Sequence, residues 1–305
     1  MRCAVRGNVR GARALNAVDI RLVTCAELPV PDPDTPLLAA ALTRAGHSVE
    51  VAGWRDPAID WASARVTVLR SPWDYIDHLE KFLGWAERVD GVSDLWNPFA
   101  LVRWNTHKAY LLDLHERGAP VVPTVVLLGG SAAALDGICD AQGWNSVVVK
   151  PAVASGSKGA RRGEVGDVAA QAHLDELLTH GDALVQQFVP GITDEGEWSV
   201  ILIEGEVSHA LRKRPAAGDY RVQEEWGGTT ERAEPSASLA ELATRVCAVL
   251  PAPALYARID VVSLNDQWLV MEVEVTEPAL WLDLAPETTQ RFADAIGSRL
   301  GRLSQ

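Results

Sequence analysis

The chain has 305 residues, 48% of them hydrophobic, and carries a formal net charge of −13. This length exceeds one ordinary core and requires two or three domains, and the composition is that of a globular protein with a large interior. The acidic balance excludes nucleic acid as the main partner, and no apolar run is long enough to span a membrane.

Met1 to Asn16 is Arg-rich and acid-free, without the apolar segment of a secretory signal. Residues 1–18 read as a disordered extension or an over-long start, with a transit peptide as the alternative. Strands are predicted at Ile20–Thr24, Val49–Trp54 and Arg65–Leu69, and helices from Asp34 or Thr35 to about Gly46 and over Asp77–Val89. This alternation predicts a parallel α/β layer over residues 19–104, with Trp96–Trp104 as connector. A second unit, 105–185, holds helices at Thr106–Arg117, Ala132–Gln142 and Val168–His180, an extended Pro120–Leu128, and strands at Ser146–Lys150 and Ala183–Phe188. In the third, 186–305, strands at Trp198–Ile203 and Glu206–Arg214 alternate as an antiparallel pair. A helix at Leu239–Leu250, a hairpin and a helix at Pro286–Leu303 follow. Cys3, Cys25, Cys139 and Cys247 show no Cys-x-x-Cys spacing and read as reduced thiols in the cytoplasm.

The hairpin joins Arg258–Val262 to Leu269–Val275 through the polar link Ser263–Gln267. Alternation points Glu272 and Glu274 the same way, with Asp260 opposite them. Three carboxylates in an apolar setting require a compensating cation, and hard oxygen ligands suit Mg²⁺. A solvated outer face of an edge hairpin is the competing reading. Lys150 ends an apolar strand before a loop containing Ser155, Gly156 and Ser157, which either brings backbone N–H groups to phosphate oxygens or is a flexible surface loop. It lacks the spacing of a Walker loop. Lys108 sits at a helix start, as phosphate contact or exposed cap. Gln186-Gln187-Phe188-Val189 ends a strand before Glu197, and suits either an adenine edge and ribose or an ordinary turn. Lys213, Arg214 and Arg221 belong to the densest basic patch, a phosphate contact or a solvated loop. Arg70, Trp73 and Asp74 follow the third strand at its carboxyl end, where open α/β sheets place ligands. Arg70 then holds a carboxylate and Asp74 an ammonium, so that Arg70→Ala raises KM before it harms folding. The alternative is a buried Arg–Asp pair fixing the loop.

In this order the elements resemble the ATP-grasp superfamily, from about Asn105 to Pro278, and most closely its glutathione-synthetase-like branch. The resemblance implies an α/β fold in which two α+β subdomains, preceded by the parallel layer, clasp ATP. By that resemblance Lys108 and Lys150 contact ATP phosphates and Ser155 to Gly159 close over them. Gln186 to Val189 hold adenine and Glu197 the ribose, Arg221 stabilises the transferring phosphoryl group, and Asp260, Glu272 and Glu274 bind Mg²⁺. Two departures stand out: Gln186 lies where the family often has Glu, and Glu274 where Asn is common. Arg70-Ser71-Pro72-Trp73-Asp74-Tyr75, Lys213-Arg214-Pro215 and Glu277-Pro278-Ala279-Leu280 are similar to the subgroup whose cyclo-ligase closes O-ureido-D-serine to D-cycloserine. The resemblance implies an ADP-forming C–N ligase acting on a small amino-acid-like carboxylate, with Arg70, Trp73, Asp74, Lys213 and Arg214 at the substrate. An intermolecular ligase and a non-catalytic ATP-binding module are the alternatives, and a homodimer is the common outcome for such enzymes.

Overall fold

The computed structural model describes residues 18–302, so the extension expected at 1–18 lies, apart from Val18, outside the described residues. The first layer comprises β1 (Val18–Thr24), α1 (Asp34–Arg44), β2 (Val49–Gly53), β3 (Ala64–Ser71), α2 (Leu79–Asp90), β4 (Asp94–Trp96) and α3 (Phe99–Asn105). Its four strands are parallel in the order β2-β1-β3-β4. Both faces are covered, as parallel sheets require. Ile20, Leu22, Val66 and Val68 pack with Leu38 and Leu42 of α1, while Val23 and Leu69 pack with Phe82, Trp85 and Val89 of α2.

The second sheet is antiparallel. It follows α4 (Tyr110–Glu116) and contains β5 (Thr124–Leu127), β6 (Ser146–Pro151), β7 (Arg161–Glu164) and β8 (Ala183–Gln187), in the order β5-β8-β6-β7. Between these strands run α5 (Leu135–Gln142) and α6 (Val168–His180), whose Leu135, Cys139, Leu174 and Leu178 bury Val147, Val149 and Val185. Asp167 caps α6, accepting from the N–H groups of Ala169 (2.9 Å) and Ala170 (3.0 Å).

The third sheet follows α7 (Gly191–Asp194) and is built from β9 (Glu197–Ile203), β10 (Glu206–Arg214), β11 (Thr229–Arg232), β12 (Tyr256–Leu264) and β13 (Gln267–Glu274). Its order is β11-β10-β9-β12-β13, all antiparallel. One face packs on α8 (Ala237–Ala248) and α4, through Val200, Leu202, Ile259, Leu242 and Leu114. Toward the first layer, Ile201, Ile203 and Tyr256 share a core with Phe292 and Ile296 of α9 (Pro286–Arg302).

Two seams hold these parts together. Asn97 donates to the carbonyls of Tyr256 (2.9 Å) and Val275 (2.6 Å) and accepts from Leu255 N–H (2.6 Å). The Tyr256 hydroxyl lies 2.6 Å from Leu69 O and 3.0 Å from Thr276 O. Along the outer edge of β13, Asn105 pairs with Val273 O and Val275 N–H, and the Tyr110 hydroxyl accepts from Val273 N–H. Val122 N–H reaches Val270 O, and Val270 N–H reaches Pro120 O. An edge that would otherwise present unpaired backbone groups is thereby closed.

Candidate active site

The hairpin forms as its alternation predicts. Asn265 and Asp266 make its two-residue turn with φ of 51° and 60°, the left-handed pair that matches strand twist. Asp260 lies opposite Glu272, and Arg258 opposite Glu274. Ser199 and Glu197 on β9 and Lys213 on β10 continue the same face, because Asp260 faces Ser199 and Glu197 faces Lys213. Four strands thus present one charged stripe.

The three acids converge, but each meets a cation of the chain. Lys108 Nζ contacts the Glu272 carboxylate. Arg258 contacts Glu274 and takes Asp260 in a bidentate grip at 3.0–3.1 Å, while the Ser199 hydroxyl donates to Asp260. Lys213 Nζ stands 2.5 Å from Glu197 and 3.6 Å from Asp260. Free convergence of three acids is therefore corrected: among the described residues no group of three acids, histidines or cysteines is arranged to hold a metal ion. The counter-charge the sequence demanded comes first from Arg258, Lys108 and Lys213.

Burial and charge set the protonation of this stripe. Burial works against ionised Asp260, but Arg258 and Lys213 overcome it and hold the carboxyl down to about 2. Burial also works against the Lys213 ammonium, which Asp260 and Glu197 keep above its ordinary value. Burial pushes Glu274 up to about 7 despite Arg258. Lys150 is brought down to about 8 by burial, against the attraction of Glu272. Its only hydrogen-bond acceptor among the described residues is the neutral Gln186 Oε1 at 2.9 Å, and Gln186 in turn donates to Thr124.

The remaining expected residues divide. Gln187 N–H and Phe188 N–H are spent on Pro123 O and Ser146 O, which leaves Val189 N–H without a partner among the described residues. The Phe188 ring is covered by Arg162 at 3.8 Å, so its side chain is occupied. Ser155, Gly156 and Ser157 lie in the β6–β7 connection, with Gly156 and Ser157 at φ of 60° and 58°. A Cβ at Gly156 would sit 3.2 Å from Glu225 Oε1, so this loop lies against the segment that carries Arg221. Arg221 is held within that segment, 2.7 Å from Asp219 and stacked 3.5 Å over Trp226, and is not brought to the lysines.

Three substrate expectations are corrected. Arg214 alternates to the face away from Lys213 and pairs with Glu231 in the open. Arg70 is 1% exposed beneath the rings of Tyr256 and Phe292, donates to Pro278 O, and faces Asp34 at 3.6 Å. It is the buried Arg–Asp pair of the alternative reading, with Asp34 rather than Asp74 as partner. Asp74 turns to Trp54 Nε1 (2.6 Å) and Arg55 (2.7 Å). Trp73 reaches the loop that follows the hairpin, its Nε1 donating to Glu277 O at 3.0 Å. The sequence reading named Arg258 and Glu277 in its motifs but gave neither a role. The signal for Arg258 was present, since residues two apart on a strand share a face.

Comparison with known proteins agrees with this geometry. Residues 20–97 match the family described as D-cycloserine synthetase DcsG, N-terminal domain, and residues 121–287 match Prokaryotic glutathione synthetase, ATP-grasp domain. The chain is 33% identical to the cycloserine biosynthesis protein DcsG of Streptomyces lavendulae over 299 residues, 92% of this chain and 98% of that one. It is 32% identical to a glutathione synthetase of Parasynechococcus marenigrum, covering 75% of this chain and 70% of that protein. The crystal structure of D-cycloserine synthetase DcsG superposes with a TM-score of 0.84 at 31% identity, covering 92% of this chain and 99% of that one. The D-alanine–D-alanine ligase of Bacillus anthracis, at 15% identity and a TM-score of 0.67, shares the fold. The chain belongs to the ATP-grasp superfamily, as a ligase of the glutathione-synthetase-like branch similar to D-cycloserine synthetase.

Proposed function

We propose that this ligase uses Mg-ATP to activate the carboxylate of a small amino acid and then closes a C–N bond within the same molecule, with O-ureido-D-serine as substrate and D-cycloserine as product. The observation that carries the reading is the charged stripe of Lys213, Glu197, Asp260, Arg258, Glu272 and Glu274, faced by Lys108. Lys150 feels the charge of Glu272 and Glu197.

In this reading residues 105–185 and 186–305 are the two subdomains that clasp the nucleotide. Lys108 and Lys150 take phosphate oxygens under the Ser155–Gly156–Ser157 loop. Gln186, Gln187, Phe188 and Val189 form the adenine linker through the free Val189 N–H, and Glu197 takes the ribose. Catalysis of phosphoryl transfer is positioning plus charge stabilisation. A substrate carboxylate oxygen attacks the γ-phosphorus, the bond to the bridging oxygen breaks, and ADP leaves. The nitrogen lone pair then attacks the acyl carbon, phosphate departs with its oxygen, and the nitrogen loses its proton; water then cleaves the carbamoyl group from that nitrogen, as carbon dioxide and ammonia, to leave D-cycloserine. Arg258 and Lys213 stand where charge grows, and Arg221 approaches from the loop side.

Mg²⁺ fits the donor set, because it takes one or two carboxylates and completes its shell with phosphate and water. The Glu272 and Glu274 side chains remain about a quarter exposed, with Asp260 behind them; the ion would neutralise phosphate charge there. No helix among the described residues is long and apolar enough to cross a membrane, and the proposed setting is the cytoplasm, with a homodimer as the proposed assembly.

The test is incubation with Mg-ATP and O-ureido-D-serine, reading ADP and product mass together. One ADP per D-cycloserine is expected. ADP release only with a second amine added would move the chain to intermolecular ligation, and no ADP with any small amino acid would end the ligase reading of this site.

A further inference from the structure

Four carboxyl groups are buried among the described residues: Asp34, Glu197, Asp260 and Glu277. Asp34 faces Arg70, Glu197 faces Lys213, and Asp260 faces Arg258 and Lys213. Glu277, 8% exposed, has no lysine, arginine or histidine within 4.0 Å. The side chain bearing most directly on it is Tyr75, which is also buried. The nearest cations, Lys108 and Arg258, attract it from a distance but are already engaged by Glu272, Asp260 and Glu274. A carboxylate taken out of water without a counter-ion is costly, and proteins leave one so placed where something else supplies the charge.

The loop that carries Glu277 is held rigid on every side. Thr276 O accepts from Tyr256, Glu277 O from Trp73 and Pro278 O from Arg70. Ala279 O accepts from Arg258, and the N–H groups of Leu280 and Leu282 reach Asp34 at 2.6 and 2.7 Å. At the end of this loop Trp281 adopts φ of 49°, a rare conformation for an aromatic residue, and its ring lies 5.2 Å from Arg258 and 5.5 Å from Lys213. The loop therefore places an aromatic wall beside Arg258 and Lys213 and a lone acid within the field of Lys108 and Arg258. That is the preorganisation a binding group requires.

We infer that Glu277, oriented by Tyr75, receives the ammonium group of the acceptor substrate, so that the carboxylate to be activated belongs to an α-amino acid whose nitrogen faces the first layer. The inference rests on the ligase reading for its place in the reaction but not for its test. Burial, then the neighbouring Glu274, push the Glu277 carboxyl up to about 8, so without a cation it keeps its proton near neutral pH, and an arriving ammonium group would favour its ionised form.

The experiment compares wild type with Glu277→Gln and Glu277→Asp by calorimetric titration, in the presence of Mg-ADP. The probes are two matched pairs: O-ureido-D-serine with 3-(ureidooxy)propanoate, and D-serine with 3-hydroxypropanoate, each pair differing only in the amino group. Wild type is expected to bind the amino member at least tenfold more tightly, the Gln variant to bind both members of a pair equally, and the Asp variant to keep part of the preference. Equal binding within both pairs by wild type, no binding of any probe at millimolar concentration, or an undiminished preference in the Gln variant would each overturn the inference. So would a variant that binds as wild type does and loses only turnover, which would assign Glu277 to proton transfer. ADP release by wild type, measured separately, reports on the ligase reading itself.

Discussion

Lys150, the proposed phosphate contact, shows how the identity of one neighbour sets the state of a buried cation. The resemblance places a glutamate where Gln186 stands, and the amide oxygen that replaces it solvates the ammonium without neutralising it. With its folded pKa depressed from 10.5 to about 8, Lys150 contributes stability that is present above pH 10.5 and lost as the pH falls through 8. At pH 7 the charge is therefore a net cost, on the order of 1–2 kcal/mol once partial exposure is discounted. Lys150→Met is predicted to raise stability by that amount at pH 7 in urea titrations, to show no gain at pH 11, and to cut ADP formation at least about a hundredfold. No gain at pH 7 would contradict the neutral pairing with Gln186. Residue chemistry was partly legible beforehand. Asp260, Glu272 and Glu274 converge because strand alternation requires it, and the same rule, applied to Lys213-Arg214, would have turned Arg214 away. Glu277 was quoted for its resemblance alone, because nothing local reveals which buried acid lacks a cation.

At the scale of elements, the long apolar strands and helices were readable, whereas β4, β7 and β11 were not. Each is three or four residues long, too short for a pattern to declare itself, and Arg161-Arg162-Gly163-Glu164 and Thr229-Thr230-Glu231-Arg232 carry almost no apolar side chain. They are defined by the neighbour that accepts them at a sheet edge. β13 illustrates the same dependence from the other side. Its free edge is closed by Asn105, whose amide satisfies Val273 O at 2.7 Å and Val275 N–H at 3.0 Å. Asn105→Ala leaves two buried backbone groups unpaired, at a predicted cost of about 2–3 kcal/mol. Because those groups flank Glu274, the KM for ATP is expected to rise as well, by about threefold or more. A variant with unchanged urea midpoint and unchanged KM would show that the edge does not need this clamp.

At the scale of the molecule, the first layer and the third sheet were expected as separate units, and the sequence offers no sign of how tightly they join. Contacts more than 150 residues apart supply the answer: Asn97 with Tyr256, Tyr256 with Leu69, and Arg70 with Pro278. Arg70→Ala is therefore predicted to act on folding before it acts on KM. It strands Asp34 in the core, where burial already raises the carboxyl against the pull of Arg70, and removing one partner of such a pair costs about 3–5 kcal/mol. Pairing it with Asp34→Asn should recover part of that loss in a double-mutant cycle read by thermal melting. A stable Arg70→Ala protein with an altered KM would restore Arg70 to the substrate pocket.

The Tyr256 hydroxyl, bonded at once to a carbonyl of β3 and to one just past β13, leaves little slack between those two sheets. They amount to a single stiff jaw, and the β5-β8-β6-β7 sheet is the other, joined to it near Val121–Val270. We expect the bite on nucleotide to come from swinging that smaller jaw. Amide exchange slowed by Mg-ADP should then be concentrated between residues 124 and 187, and slowing spread evenly over β1 and β3 would count against it.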